Sequence, residues 1–113
     1  MELYQIGDDI WWTDKPVLPH TDSTAENMLT YGLILVNTGY RLNYDGIRIE
    51  IPAGSVYEID ARKPHSTEGS GYLAALIWDM PDWSPEIFIR EIQKDPRFQK
   101  YSRSMSIAFR LNP

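Results

Sequence analysis

The chain contains no cysteine, which removes disulfides, thiolate metal sites and cysteine nucleophiles together while fixing no redox compartment. Histidine is almost as scarce. His20 and His65 are the only two, and any metal must be held by His, Asp or Glu. Cations are outnumbered, 11 Lys and Arg against 16 Asp and Glu for a net charge of -5. A phosphate backbone is gripped by surplus positive charge, so nucleic-acid binding is not expected. Apolar runs are short: the longest, such as Tyr72 to Trp78, fall far below the roughly 20 residues of a membrane helix. The opening Met-Glu-Leu-Tyr-Gln has neither the basic start nor the apolar run of a secretory signal, and the expected location is the cytoplasm. Internal repeats, Gly/Ser linkers, Gly-rich phosphate loops, HExxH pairs and nucleophile elbows are also missing.

What is present suits one domain spanning residues 1–113. An apolar fraction of 42% with 12% aromatics is enough for one packed core at this length. Turn residues punctuate the chain at the short intervals of a β-protein. Gln5 to Thr13 reads as a first strand, ended by Pro16 and Pro19. Leu29 to Val36 is nearly continuous in apolar and β-branched residues and reads as a buried strand. Tyr40, Leu42 and Tyr44 alternate with polar residues before Asp45-Gly46, a strong hairpin signal, and Ile47, Ile49 and Ile51 alternate after it. All three isoleucines are expected to face inward. Further strands are expected over Val56 to Asp60, from His65 and over Tyr72 to Trp78, giving a β core over about residues 29–80.

Ser84 as N-cap, Pro85 at the first helical position and Glu86 in the first turn then start an amphipathic helix, about residues 85–95, which Asp95-Pro96 ends. A terminal strand follows at about residues 104–111, its partner being either the first strand or a neighbouring subunit. The basic cluster Arg90, Lys94, Arg97, Lys100 and Arg103 reads as the solvated face of that helix and its exit. Exposed terminal edges make a homodimer the expected assembly.

The segment from Gly54 through Pro64-His65 resembles the second motif of cupins, where a hairpin Gly, a strand, a short turn and Pro-His follow at this spacing. The resemblance covers about Tyr31 to Trp78 and implies an all-β, cupin-like double-stranded β-helix, a jelly-roll barrel with His65 at its mouth. The first cupin motif is not matched: Gly32 stands at its Glu position, and Glu26 and Met28 fall near its His positions. The three-His, one-Glu cupin site is therefore absent.

A second resemblance is to iron and 2-oxoglutarate oxygenases, which share the scaffold and hold metal with an early His-x-Asp and a late His. His20-Thr21-Asp22 and His65 fit that pattern. The resemblance implies Fe(II), or another divalent transition metal, on His20, Asp22 and His65. Such a triad leaves adjacent positions open for substrate and oxygen. Where that family places an Arg for the distal carboxylate of 2-oxoglutarate, this chain has Tyr72. A phenol cannot replace the guanidinium fork, which argues against ordinary 2-oxoglutarate use unless Arg41, Arg48, Arg62 or Arg103 substitutes.

Tyr31, Tyr40, Tyr44, Tyr57 and Trp78 are read as core or barrel-wall aromatics, and Tyr31, Tyr44, Tyr72, Trp78 and Arg62 as candidate ligand contacts, while no catalytic side chain is singled out. Glu58 and Asp60, two apart, are expected on a solvated strand face. Three functions stay open: a non-haem oxygenase-like enzyme acting on a small molecule, a non-catalytic pocket for a ligand or protein, and an assembly protein whose last strand augments another subunit.

Overall fold

Among the described residues, turn chemistry separates nine strands and one α-helix. The computed structural model describes residues 4–6, 9–21, 29–80, 82–101 and 104–111. The elements are β1 (Tyr4–Ile6), β2 (Ile10–Thr13), β3 (Leu29–Asn37), β4 (Tyr40–Tyr44), β5 (Ile47–Glu50), β6 (Ser55–Asp60), β7 (His65–Gly69) and β8 (Leu73–Asp79), then α1 (Pro85–Gln93), a kinked 3-10 segment (Pro96–Tyr101) and β9 (Ser106–Phe109). Asp45 and Gly46 both take positive φ, 47° and 84°, as the two-residue turn between β4 and β5 requires. Asn37 closes the preceding turn by accepting from the N–H groups of Gly39 and Tyr40 (3.0 and 2.8 Å).

Two sheets face each other, one ordered β1-β2-β8-β3-β6-β9 and one ordered β5-β4-β7. From β3 to β8 the chain passes repeatedly between them, a jelly-roll-like course. Among the described residues neither sheet closes on itself, and in place of the expected barrel they form an open sandwich. The expected first strand is a hairpin of β1 and β2, Ile6 opposite Ile10, with residues 7–8 outside the described part. The terminal strand pairs within its own chain: β9 lies parallel to β6, Ser106 opposite Ser55, and not against the first strand.

The large sheet is covered on both faces. Towards the small sheet, Ile34, Tyr57, Ile59, Leu73 and Ala75 pack with Leu42, Tyr44, Ile49 and Ile51. On the other face, Tyr31, Leu33, Val56 and Leu76 lie under Phe88 and Ile92 of α1 and Phe98 of the 3-10 segment. Helix placement follows the local sequence. Ser84 Oγ accepts from the Ile87 N–H (3.3 Å), and Phe88 and Ile92, one turn apart, share the buried face. Each fully buried side chain of this size contributes about 1.5–3 kcal/mol. Among the described residues, no helix is long and apolar enough to cross a membrane.

Ile49 and Ile51 are inward as expected, but Ile47 is 48% exposed because it sits at the hairpin tip, next to the turn. Glu58 is buried at 4% exposure, contrary to the expected solvated face. The covering helix layer explains this, and Glu58 accepts from Tyr31 Oη (2.8 Å) and the Leu111 N–H (3.0 Å). Of the basic cluster, Lys94 meets Glu91 (3.1 Å), while Arg97 bridges Asp95 (2.8 Å) and Asp9 (3.1 Å). Arg97 thereby ties the helix exit to the residues before β2. Arg103 lies outside the described residues.

Candidate functional site

Two pieces of local structure bring the histidines together. The turn between β6 and β7 is clamped by Asp60, which takes the Arg62 guanidinium in a two-point fork (2.9 and 2.7 Å) and the Arg62 N–H (3.0 Å). Lys63 N–H donates to the Asp60 carbonyl (3.0 Å), and Asp45 N–H donates to the Pro64 carbonyl (2.8 Å). His65 therefore starts β7 in fixed register, opposite Tyr44. The stretch from Val17 to His20 then runs antiparallel beside β7, with the Thr67 N–H donating to Val17 (3.0 Å). Pro19 has no N–H, so this edge cannot form a continuous ladder.

His20 and His65 exchange both backbone hydrogen bonds (3.1 and 3.0 Å). Their rings meet at 4.3 Å between centroids, tilted by 57°. Each Nδ1 lies against a carbonyl two residues back, His20 on Leu18 (2.9 Å) and His65 on Lys63 (2.8 Å). A carbonyl only accepts, so each Nδ1 carries the proton and the neutral ring has its lone pair on Nε2. That is the tautomer and the backbone anchor typical of metal-binding histidines. With metal–nitrogen bonds of about 2.1 Å, imidazoles on neighbouring corners of an octahedron place their centroids about 4.5 Å apart, close to the spacing seen. Among the described residues no group of three or more His, Asp or Glu converges as a metal site, and Asp22 lies outside them.

The histidines stand at the open end of a cavity of about 410 Å³ between the sheets. β3 contributes Thr30 and Ile34, β8 contributes Leu73, Ala75, Ile77 and Asp79, and β6 contributes Tyr57 and Ile59. Leu42, Ile51, Trp11 and Val17 complete the apolar wall, with Ser66 and Thr67 beside His65. At the mouth, Thr30 Oγ1 donates to Asp79 (2.8 Å). A Cβ on Gly32 would fall inside the Tyr57 ring, so the absence of a side chain there lets the aromatic ring lie against the β3 backbone.

The other residues singled out from the sequence are spread over the molecule. Tyr31 and Trp78 are cross-strand partners on the helix side of the large sheet, where both rings contact Phe88 (5.5 and 5.4 Å between centroids). Tyr44 is buried between the sheets; its hydroxyl accepts from the Asp60 N–H (3.1 Å) and its ring meets Phe109 (5.5 Å). Tyr72 is 59% exposed, its N–H bonded to Thr38 (2.7 Å) at the end remote from the histidines. Arg62 serves the turn clamp, Arg41 pairs with Glu50 and Arg48 with Glu68. None of these three arginines lines the interior cavity. The structure thus joins His20 with His65 and places the candidate ligand contacts elsewhere.

Charge effects concentrate outside the cavity. The Arg62 fork holds the Asp60 carboxyl below its ordinary value. Arg97 does the same for Asp9, against a partial opposing effect of burial, and for Asp95. Burial foremost, then the hydrogen bond to Glu58, pushes the Tyr31 phenol far above the usual tyrosine range.

Fold and site together define a class: a two-sheet, jelly-roll-like β domain with a helix behind the larger sheet and a histidine-mouthed cavity between the sheets. Comparison of the chain with protein-family models, with curated proteins and with solved structures finds no match in any of the three.

Proposed function

We propose that the chain is a small cupin-like enzyme of the non-haem oxygenase type. In this reading His20 and His65, with Asp22, hold Fe(II) or another divalent transition metal at the mouth of the cavity, where a small molecule is oxidised. The observation that supports it is the meeting of the chain's only two histidines, across a strand pair, with both Nδ1 atoms anchored on carbonyls. When bound, a metal with these ligands and open adjacent positions supplies oxygen activation. The protein's own part is to hold both rings in orientation and to receive the substrate between apolar walls. Anaerobic titration of Fe(II) into the apoprotein tests the reading. One ion per chain is expected, weakened at least a hundredfold in His20→Ala and His65→Ala. Binding of equal strength in both variants would overturn it.

A second reading, a non-catalytic cupin-like module that captures a ligand, is favoured by the outward ion pairing of Arg41, Arg48 and Arg62. Freshly purified protein without metal, and without affinity for Fe(II), would select this reading over the first.

A further inference from the structure

We propose that the interior cavity takes a neutral, predominantly apolar molecule, its polar end towards the His20–His65 mouth. This rests on reading the cavity as a ligand site, and it names the chemistry of the occupant. The walls carry the argument. Ile34, Leu42, Ile51, Ile59, Leu73 and Ala75 are all buried core side chains that also line the cavity, so the deep part offers dispersion and desolvation and no charge. The Tyr57 ring, lying against Gly32, adds a flat aromatic surface.

Charge selects against an anion. Among the described lining residues there is no Lys or Arg, and Asp79 is the sole carboxylate. An anionic ligand would be buried without a fixed countercharge, which is strongly unfavourable, and would approach past a negative mouth. Polar capacity is greatest towards the His20–His65 side, on Thr30, Asp79 and the two imidazoles, with Ser66, Thr67, the Tyr57 hydroxyl and the Trp11 indole N–H also in the lining. One hydroxyl or carbonyl at the end of an apolar body matches that distribution. Size sets the upper limit: about 410 Å³ is near the small end of ligand pockets, about 300–1,000 Å³. At interior packing density that volume accommodates on the order of 15–20 non-hydrogen atoms.

The test titrates metal-free protein, in the presence of a chelator, with 1-nonanol and separately with nonanoate, following isoleucine methyl signals by NMR. Saturable nonanol shifts are expected at Ile34, Ile51, Ile59 and Ile77, with nonanoate at least tenfold weaker. Ala75→Leu, which fills the cavity, should weaken nonanol at least tenfold while leaving the far-ultraviolet circular dichroism unchanged. Should that variant not fold, Ile77→Phe, at a half-buried lining position, serves the same purpose. Equal or tighter nonanoate binding, or shifts confined to Ile10, Ile89 and Ile107 away from the cavity, would overturn the inference. Because no metal is present, a protein that binds Fe(II) and refuses nonanol defeats this inference alone, and the reverse result defeats only the metal reading.

Discussion

Phe88→Ala should destabilise the domain far more than any change at the hairpin tip. Phe88 is fully buried and its ring meets Tyr31, Trp78 and Trp83 at 5.5, 5.4 and 6.4 Å between centroids. Truncating a buried Phe costs about 3–5 kcal/mol through lost transfer energy and the void left behind. The edge-on contact with Trp78, at 83°, places the value in the upper half of that range, since such pairs add about 0.5–1.5 kcal/mol beyond area. For 113 residues the unfolding entropy near the midpoint is about 0.24 kcal/mol/K, so a loss of 4 kcal/mol lowers Tm by about 17 °C. Urea unfolding followed by tryptophan fluorescence measures this directly, with an unchanged denaturant slope expected. Ile47→Ala, at the exposed tip, is the internal control and should stay within about 0.5 kcal/mol. A Phe88→Ala loss below about 1.5 kcal/mol would refute the claim that the second face of the large sheet is a packed core.

Two further outcomes follow from the electrostatics. Asp9, Asp60 and Asp95 have folded-state pKa values below their unfolded ones. Their contribution to stability is therefore full above about pH 4 and is lost as pH falls through the depressed folded values. Arg97→Gln removes the partner of Asp9 and Asp95 and should flatten the decline of the urea midpoint as pH falls below about 4. An unaltered decline would show that these pairs contribute nothing. Tyr31→Phe should cost about 1–3 kcal/mol, because it takes a donor from the buried Glu58 carboxylate. It should also delete the last-ionising phenol from an alkaline ultraviolet titration, and a variant titrating like wild type would contradict the assigned environment of Tyr31.

Elements with local punctuation were legible in the sequence. Asp45-Gly46 and the alternation around it specify the β4–β5 hairpin, and Ser84, Pro85 and the Phe88–Ile92 spacing specify α1. What could not be read was which face of β3 and β8 turns inward. A strand buried on one side alternates in polarity, and that alternation fixes which residues face the core. β3 and β8 are covered on both sides, so Leu29 to Val36 and Tyr72 to Trp78 are apolar almost throughout and show no alternation. Tyr31 and Trp78 face the helix layer, whereas their neighbours Thr30, Ile77 and Asp79 line the cavity. The single polar signals on that face, Thr30 and Asp79, are bonded to each other and could have marked it. Glu58 escaped for the same reason: its burial depends on a helix that begins 27 positions later, at Pro85.

The doubly covered sheet also explains how so small a domain keeps a hollow between its layers. An empty, sealed void of about 410 Å³ would cost about 10 kcal/mol at the rate measured for cavities. That is as large as the whole stability of an ordinary domain, about 5–15 kcal/mol. The cavity escapes part of this penalty because it is not sealed, with half-buried His20 and His65 and exposed Asp79 in its lining. The helix layer offsets what remains: Phe88, Ile92 and Phe98 complete a second packed core behind β3, β6 and β8 that needs nothing from the cavity side. The site and this second core therefore lie on opposite faces of the same strands. Changes under the helix should shift unfolding while leaving affinity at the cavity unchanged until the protein unfolds. An apolar occupant, by restoring contacts on the hollow face, should raise the unfolding midpoint in proportion to the logarithm of its concentration once that exceeds Kd.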